Sequence, residues 1–518
     1  MKKLFFFSFI ILTLVACSKE LLPLPPQAAD NQDIENGISV FSASKEKMEE
    51  GFLDDSPRLR TSLDFEARTS YSWNLNDKIG AVSTNTYNSF IDNFEFTLVS
   101  SSAGSLISNG VFTSDDNLGY NERYFFYYPY GETAIVDGKL IFIMPTQRQD
   151  GNPSIANISG RDFMFSLDTL VAESGQSRLI ENELDQIKFS HLTAFLHFSI
   201  DLPVNTKIYC LDLYSDNDVF SQRATLMGGD MTSRIGSEQP VPLVYDSNKK
   251  NSVPLYYGDN GYTINSSTDT LQSYLSLFPT DAPIGNVNVY LHTNNGTYKI
   301  PKNISAALKA NTRYKVTLGD LKTMTPISTW DGSLLLPPAI IDSEIFIYNG
   351  AHLAWISAVS NGSITDTRIT DNSFDGYTLV LVNNINLNGK TWTPINNFKG
   401  VFDGNGKSIN GLYISTRLVD NNQGLFGINV SGTIKNTTLI NADLFSRGIN
   451  VGGIVGNNQN GIISNCTVNN SKILGANYVG GIVGTDVNRG LNIPSCSVTG
   501  TTVTGGAYNG QFRGFPNP

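Results

Sequence analysis

The sequence predicts an all-β protein, with β-sandwich units followed by a short β-solenoid, and three observations lead there. The string VGGIVG occurs at Val451–Gly456 and again at Val479–Gly484, 28 residues later. A looser copy precedes both: QGLFG at 423–427, then GTIKNTTLINADL from Gly432, matches GGIVG, then GIISNCTVNNSKI from Gly461, at a spacing of 29. Self-similarity at a fixed period of roughly 20 to 50 residues marks solenoids, propellers or arrays. Within the copies, Thr433-Ile434, Thr438-Leu439 and Thr467-Val468 are short and β-prone, and no window holds a helical period. Upstream, short aromatic strands alternate with turn-rich stretches at a spacing that suits β-sandwiches. The composition agrees: 11% aromatic and only 16% charged residues suit an all-β extracellular chain better than a helical cytosolic one.

At 518 residues the chain exceeds one core and implies two to four domains. Its net charge of −11 leaves no counterion release to drive phosphate-backbone binding, so no nucleic-acid partner is expected. Residues 1–17 read as an export signal: two lysines, an apolar run from Leu4 to Ala16, then Cys17. The run is 13 residues, short of the roughly 20 that span a bilayer as a helix. The string Leu14-Val15-Ala16-Cys17 resembles a bacterial lipobox, which implies cleavage before Cys17 and lipid chains on the new amino terminus. At about 0.8 kcal/mol per buried CH₂, several acyl chains would hold the protein on an outer membrane. Residues 18–37, rich in Pro, Ala, Gln and Asn without periodicity, read as a flexible linker.

From Arg60 the pattern turns to strands, at Ile79–Val82, Phe94–Val99, Tyr124–Tyr128, Lys139–Met144, Gln186–Ser190 and Ala194–Ile200. Here RTS at 60–62, W-x-x-x-D-x-I-G at 73–80, FFYYPY at 125–130, DFMF at 162–165, FSHLTAFLHF at 189–198 and NTRYKVTLGDL at 311–321 occur in the order seen in fimbrillin-like proteins of Bacteroidetes, and the chain resembles them from about residue 38 to 322. The resemblance implies two transthyretin-like β-sandwiches, residues 38–190 and 191–322. It also implies polymerisation with other fimbrial subunits by β-strand addition, after an amino-terminal strand is freed by cleavage following an arginine. Arg58 and Arg60 are the candidates for that cleavage, with Arg68 behind them. His191 and His197 read as core or surface histidines, since no Cys, Asp or Glu lies within their segment to complete a metal set.

Residues 323–340, with Pro326, Pro337 and Pro338, read as an interdomain linker. Residues 342–360 place Leu353, Ile356 and Val359 at helical spacing, which predicts a short amphipathic helix. The solenoid is expected over 341–518, with this helix as its amino-terminal cap and its first coil in 377–395. Each repeat has an apolar edge, Ile454, Val455, Ile463, Val468 and Ile473 in one copy, that a single unit cannot bury, so neighbours must stack. The glycines flanking each VGGIVG are expected to permit left-handed or tightly bent backbone where the coil turns a corner, and the asparagines after each strand to tolerate the same turns. These copies resemble the GLUG-motif repeats of bacterial surface adhesins, and the run FKGVFDGNGKSINGLYI at 398–414 strengthens the likeness. Cys466 and Cys496 occupy equivalent places in successive repeats, either as small apolar fillers or as a bridge. After Val503 the sequence offers no amphipathic cap.

No nucleophile with its base, acid-base pair, metal cluster or cofactor site is legible, so no catalytic residue, metal or cofactor is expected. Asp403, in FDGNG, sits where turn geometry alone accounts for an Asp. Solenoid faces rich in Asn, Thr and Ser suit hydrogen bonding to sugar hydroxyls or protein backbone, which favours a tip or accessory adhesin of a fimbria with a host or microbial glycan or protein ligand. A pilus anchor, a stand-alone surface lipoprotein or a polysaccharide-active β-helix enzyme are the alternatives, the last on architecture alone.

Overall fold

The computed structural model describes residues 39–45, 49–51, 77–85, 89–99, 109–114, 123–131, 134–149, 161–166, 170–171, 187–232, 241–416, 418–487 and 493–514. Cys17, Arg58, Arg60 and Arg68 lie outside them. Among the described residues the fold is all-β in two sandwich units and a carboxyl-terminal solenoid, with one substantial helix at Gly350–Ser360. Among the described residues no helix is long and apolar enough to cross a membrane.

The first unit is an eight-stranded sheet that curls on itself, because Met164–Ser166 at one end also pairs with Arg123–Tyr128 near the other. The aromatic run of Arg123–Tyr128 does not alternate with polar residues, and its burial explains why. Tyr124, Phe126 and Tyr128 face one core with Ile79, Phe96 and Met164. Phe125 and Tyr127 face a second with Leu140, Phe142 and Phe163, beneath a smaller four-stranded sheet. A strand covered on both faces has no polar side to display.

The second unit packs Leu271–Leu277, Ala194–Ile200 and Thr312–Val316 against a sheet built on Gly296–Ile304, Gly285–Thr293, Lys207–Tyr214 and Ser252–Tyr256. The two units exchange strands across position 190. Lys139–Ile143 pairs with Arg223–Met227, and Gln147–Arg148 runs parallel to Ser252–Tyr256. His191 and His197 therefore sit on consecutive strands of different sheets. His191 Nδ1 is 2.5 Å from Asp162 Oδ1, and His197 Nε2 is 2.7 Å from Gln272 Oε1 while its ring stacks on Tyr274. Both are buried.

Residues 323–340 are a packed joint rather than a free tether. Ile327 bridges to Thr297, and Trp330 and Leu336 are buried in the same core as the solenoid. The helix also departs from expectation. It begins after a strand, Glu344–Ile347, and every residue but Ala358 is buried, so it is a core helix and has no solvated face. Asn349 caps it by accepting from the N–H groups of Ala351 and His352, and its Nδ2 reaches Thr297 Oγ1 of the second sandwich at 2.9 Å. At the other end Ser357 Oγ donates to Thr393 O of the first coil at 2.6 Å, and Asn361 Nδ2 to Pro394 O at 2.9 Å. One helix thus ties the sandwich to the solenoid.

The solenoid coils stack by parallel pairing in register. Thr378–Leu381, Val401–Asp403, Thr433–Lys435 and Ile462–Ser464 form one face, and Ser408–Asn410, Thr438–Ile440, Thr467–Asn469 and Ser497–Thr499 the next. Ile409, Ile434, Leu439, Ile463, Val468 and Ile473 point inward and are fully buried. Left-handed backbone falls in columns at the corners: Asn405, Asn436, Asn465 and Ser495 at one, Asn422, Asn450, Tyr478 and Tyr508 at another. The VGGIVG glycines are not among the left-handed positions. They are required by close approach. A Cβ on Gly453 would lie 2.5 Å from Gly481 O of the next coil and 3.2 Å from the methyls of Ile473 and Val468.

Gly453→Ala should therefore cost about 1–3 kcal/mol, since backbone is the obstacle and cannot rotate away. Denaturant unfolding followed by a solenoid-localised probe checks it, and a variant within about 0.5 kcal/mol of the parent would show that the coils separate freely.

Candidate functional site: the amino-terminal strand, the sandwich–solenoid joint and the solenoid faces

The first described strand, Ser39–Lys45, is an interior strand. It runs parallel to Ile187–His191, from Ala43↔Ile187 to Lys45↔Phe189, and antiparallel to Asn109–Ser114 on its other side. The chain then crosses to the second unit, where Glu49–Gly51 runs parallel to Thr312–Val316 at the sheet edge. Residues 39–45 and 49–51, which precede Arg58 in the sequence, are thus laced into both sandwiches. Taking them out would leave two strand edges facing each other in the first unit and a third exposed in the second.

The joint between sandwich and solenoid encloses a set of polar groups with few outlets. Arg368 is buried and grips Asp366 with two parallel bonds, Nε to Oδ1 at 2.9 Å and Nη2 to Oδ2 at 2.8 Å. Its Nη1 donates to Ser252 Oγ and Pro338 O at 3.1 Å, and its plane lies 5.3 Å from the Tyr214 ring and 5.8 Å from that of Trp355. Asp212 beside it is fully buried, and burial pushes its carboxyl up to about 7 against the attraction of Arg368. Nearby, His292 stacks on Tyr348 at 4.5 Å and meets His352 edge-on at 5.0 Å. His292 Nδ1 is 3.1 Å from Thr297 Oγ1, and His352 Nδ1 accepts from Tyr348 N–H. Neither Nε2 has a partner. A half-open cleft of about 220 Å³ at the rim is lined by Thr146, Gln222, Lys250, Ser252, Ile341 and Asp342.

The solenoid faces carry two kinds of ladder. One is internal: Asn429 Nδ2 donates to Asn458 Oδ1 at 2.9 Å, and Asn458 Nδ2 to Asp486 Oδ1 at 3.1 Å, all three buried. The same Nδ2 groups also satisfy Gly432 O and Gly461 O at the following corner. The other runs along the outside: Asn436 Nδ2 donates to Asp403 Oδ1 at 3.0 Å, Asn441 Nδ2 to Asn410 Oδ1 at 2.8 Å, and Asn450 Nδ2 to Asn422 Oδ1 at 2.8 Å. Asp403 also pairs with Lys435 at 3.2 Å. Partial burial raises its carboxyl, but the hydrogen bonds from Asn436, Asn405 N–H and Lys435 outweigh that and hold it below the usual carboxylate range. Asp403 and Asp443 belong to different sheets, while Asp486 is enclosed, so these carboxylates do not converge. Among the described residues no group of three or more His, Cys, Asp or Glu is placed to hold a metal.

One repeat escaped the sequence reading. Tyr508-Asn-Gly-Gln-Phe-Arg-Gly514 continues the column of Tyr478-Val-Gly-Gly-Ile-Val-Gly484: Asn509 pairs with Val479, Gly510 with Gly480, and Arg513 bridges to Val483. The rings of Tyr478 and Tyr508 stack at 5.0 Å. The retained Tyr and Gly at a spacing of 30 were the available signal, masked by Phe512 and Arg513 in place of Ile and Val.

The joint should make stability pH-dependent. Burial holds His292 down to about 3, and burial followed by the neighbouring His292 holds His352 well below its usual 6.5. Both stay neutral when folded but gain a proton when unfolded below 6.5, so their contribution is full above that pH and fades as pH falls. Asp212 runs the other way: it keeps its proton when folded, contributes fully below 3.8, and loses that contribution as pH rises through about 7. Between those limits two histidines against one carboxyl leave stability rising by about 1.4 kcal/mol per pH unit from this group of residues. Replacing His292 with Phe should lower the measured slope between about pH 4 and 6.5 by about that amount; an unchanged slope would mean the histidine is solvated.

The family description of the GLUG motif matches residues 448–473. No curated protein matches the chain. Among solved structures, the chain is similar to a candidate cell adhesion protein from Bacteroides uniformis, with 15% identity, a TM-score of 0.32, and 48% of this chain and 90% of the other covered. It is also similar to a fimbrial protein from Bacteroides ovatus, with 12% identity, a TM-score of 0.24, and 57% and 52% covered. The tip fimbrial protein Mfa3 from Porphyromonas gingivalis, truncated at its carboxyl terminus, matches with 12% identity, a TM-score of 0.26, and 54% and 93% covered.

Proposed function

We propose that the chain is a cell-surface fimbrial subunit of the tip or accessory kind, which attaches to a host or microbial glycan or protein through its solenoid. The observation that carries this reading is the lacing of the amino-terminal segment through both sandwiches. An interior strand followed closely in sequence by Arg58 and Arg60 is what release by cleavage requires. Its departure creates paired strand edges that only another strand can satisfy, and a strand from a second fimbrial subunit supplies the same backbone bonds. Before cleavage, lipid on Cys17 would hold the precursor on the outer membrane.

The solenoid follows the second sandwich and is clamped to it by the Asn349-capped helix and the buried Arg368 site. A body of this size at one end obstructs continued strand addition there, which favours a terminal place over a stalk. The separated carboxylates give no support to glycan cleavage, and we propose no enzymatic activity.

Amino-terminal sequencing of the surface form should find a chain beginning at Leu59 or Thr61, and Arg58→Ala combined with Arg60→Ala should retain the lipidated precursor. An intact lipidated terminus on the parent protein would instead make it an anchor or a free lipoprotein. Immunogold electron microscopy with antibody against residues 340–518 separates the remaining cases. Label at the distal ends of filaments supports a tip adhesin, and label confined to the cell body overturns it.

A further inference from the structure

Cys466 and Cys496 stand one above the other in the last two coils, a placement independent of any fimbrial role. Their chain neighbours Thr467 and Ser497 are paired in register, and Ser497 N–H donates to Cys466 O at 2.9 Å. Each thiol sits in its coil as Thr437 does one coil earlier. Thr437 Oγ1 donates to the carbonyl two residues back, Lys435, at 2.9 Å; Cys466 Sγ approaches Ser464 O at 3.3 Å and Cys496 Sγ approaches Pro494 O at 3.7 Å. Each sulfur also faces the preceding coil, Cys466 toward Ile434 O at 3.7 Å and Cys496 toward Ile463 O at 3.6 Å. The repeat thus forms a column of hydroxyl, thiol and thiol at the spacing of neighbouring strands, about 4.8 Å, which lies within the Cα separation a disulfide spans. Both are free thiols in this structure.

We propose that Cys466 and Cys496 are a redox clip, which closes as a cross-coil disulfide when the protein meets a low-molecular-weight disulfide. The two thiols differ in the way the reaction needs. Cys466 is fully buried, whereas Cys496 is half-buried and open to a small reagent. Cys496 is therefore the attacking group. Its thiolate displaces one thiolate from the reagent and forms a mixed disulfide. Cys466 then attacks the Cys496 sulfur and expels the second thiolate. The two protein protons leave on the two released thiols, so one disulfide is consumed and one is formed.

The clip joins the last two described coils. Among the described residues the coil of Cys496 pairs with one neighbour only, Val498 and Val503 are half-buried, and Phe512 and Val487 are exposed. Terminal coils open first in a stacked array. A bond between these two coils ties the terminal one to its neighbour, and restricting a long loop in the open state is how a disulfide stabilises.

The test is non-reducing peptide mapping of the folded full chain after equilibration with oxidised glutathione. The expected result is a linked peptide pair containing Cys466 and Cys496, lost on treatment with dithiothreitol, with Cys210 still unreacted because it is fully buried. Hydrogen exchange of residues 497–504 should slow in the oxidised form. In Cys466→Ser the reaction should stop at a glutathione adduct on Cys496. Recovery of the two cysteines as separate thiol peptides, or of a stable glutathione adduct on Cys496 in the parent chain, would overturn the proposal.

Discussion

The stacking of one coil on the next, backbone to backbone and in register, is the constraint on which the carboxyl-terminal third depends. Parallel pairing on several faces at once requires every coil to trace the same path, so each corner must bend alike in every repeat. Two residue types meet that demand differently. Asparagine takes the left-handed corner positions and uses its amide to bond the asparagine above or below it. Glycine serves where coils approach so closely that a methyl would strike the neighbouring carbonyl, as at Gly453. Neither role exists in an isolated repeat, and both follow from adjacency.

An array of this kind exposes apolar surface and strand edges at its first coil unless something covers them. At the amino end, a helix buried on nearly every side covers the first coil and carries its cap residue into the second sandwich. The joint then encloses an Arg368–Asp366 pair, an Asp212 whose carboxyl burial raises to about 7, and two histidines that burial keeps neutral. Burial of so many polar groups gives little net stability, because desolvation cancels most of the attraction, but misalignment leaves them unpaired at high cost. The joint therefore fixes an angle between sandwich and solenoid more firmly than an apolar contact of equal area. At the last described coil, Tyr508 and Phe512 are about half exposed.

The parts of this fold that were legible in the sequence are those set by local chemistry. The period of VGGIVG, the Asn-rich corners and the aromatic strands each carry their reason within a few residues. The parts that were not legible arise from contacts distant in sequence. Nothing local marks Gly453 as a site of close approach until Gly481 O is seen beside it. Leu353, Ile356 and Val359 suggest one apolar stripe, yet the helix has no solvated side, because the sandwich occupies the face that a lone solenoid would leave to water. Asp162 completes the environment of His191 from 29 residues away. Of the residues weighed from the sequence, His191 and His197 are buried against Asp162 and Gln272, and Asp403 accepts from Asn405 N–H and Asn436. The enclosed Asp212, His292 and His352 gave no signal, since a buried polar group is recognisable only from what surrounds it.

The same ladders bear on what the solenoid faces have left to offer a ligand. An outward asparagine whose amide already donates along the column, as Asn436 does to Asp403 and Asn441 to Asn410, retains part of its hydrogen-bonding capacity for anything outside. Each coil thus presents a few weak groups, repeated at the strand spacing of about 4.8 Å along one axis. No single position can bind tightly on those terms. Affinity would have to accumulate over several coils, which favours an extended ligand lying along the axis over a small molecule in a pocket. Such a mode also depends on rigid registry among the coils, because a slip or fraying at one coil removes the contacts of every coil beyond it. In this fold, the in-register stacking that buries the core is therefore also what would make the surface usable.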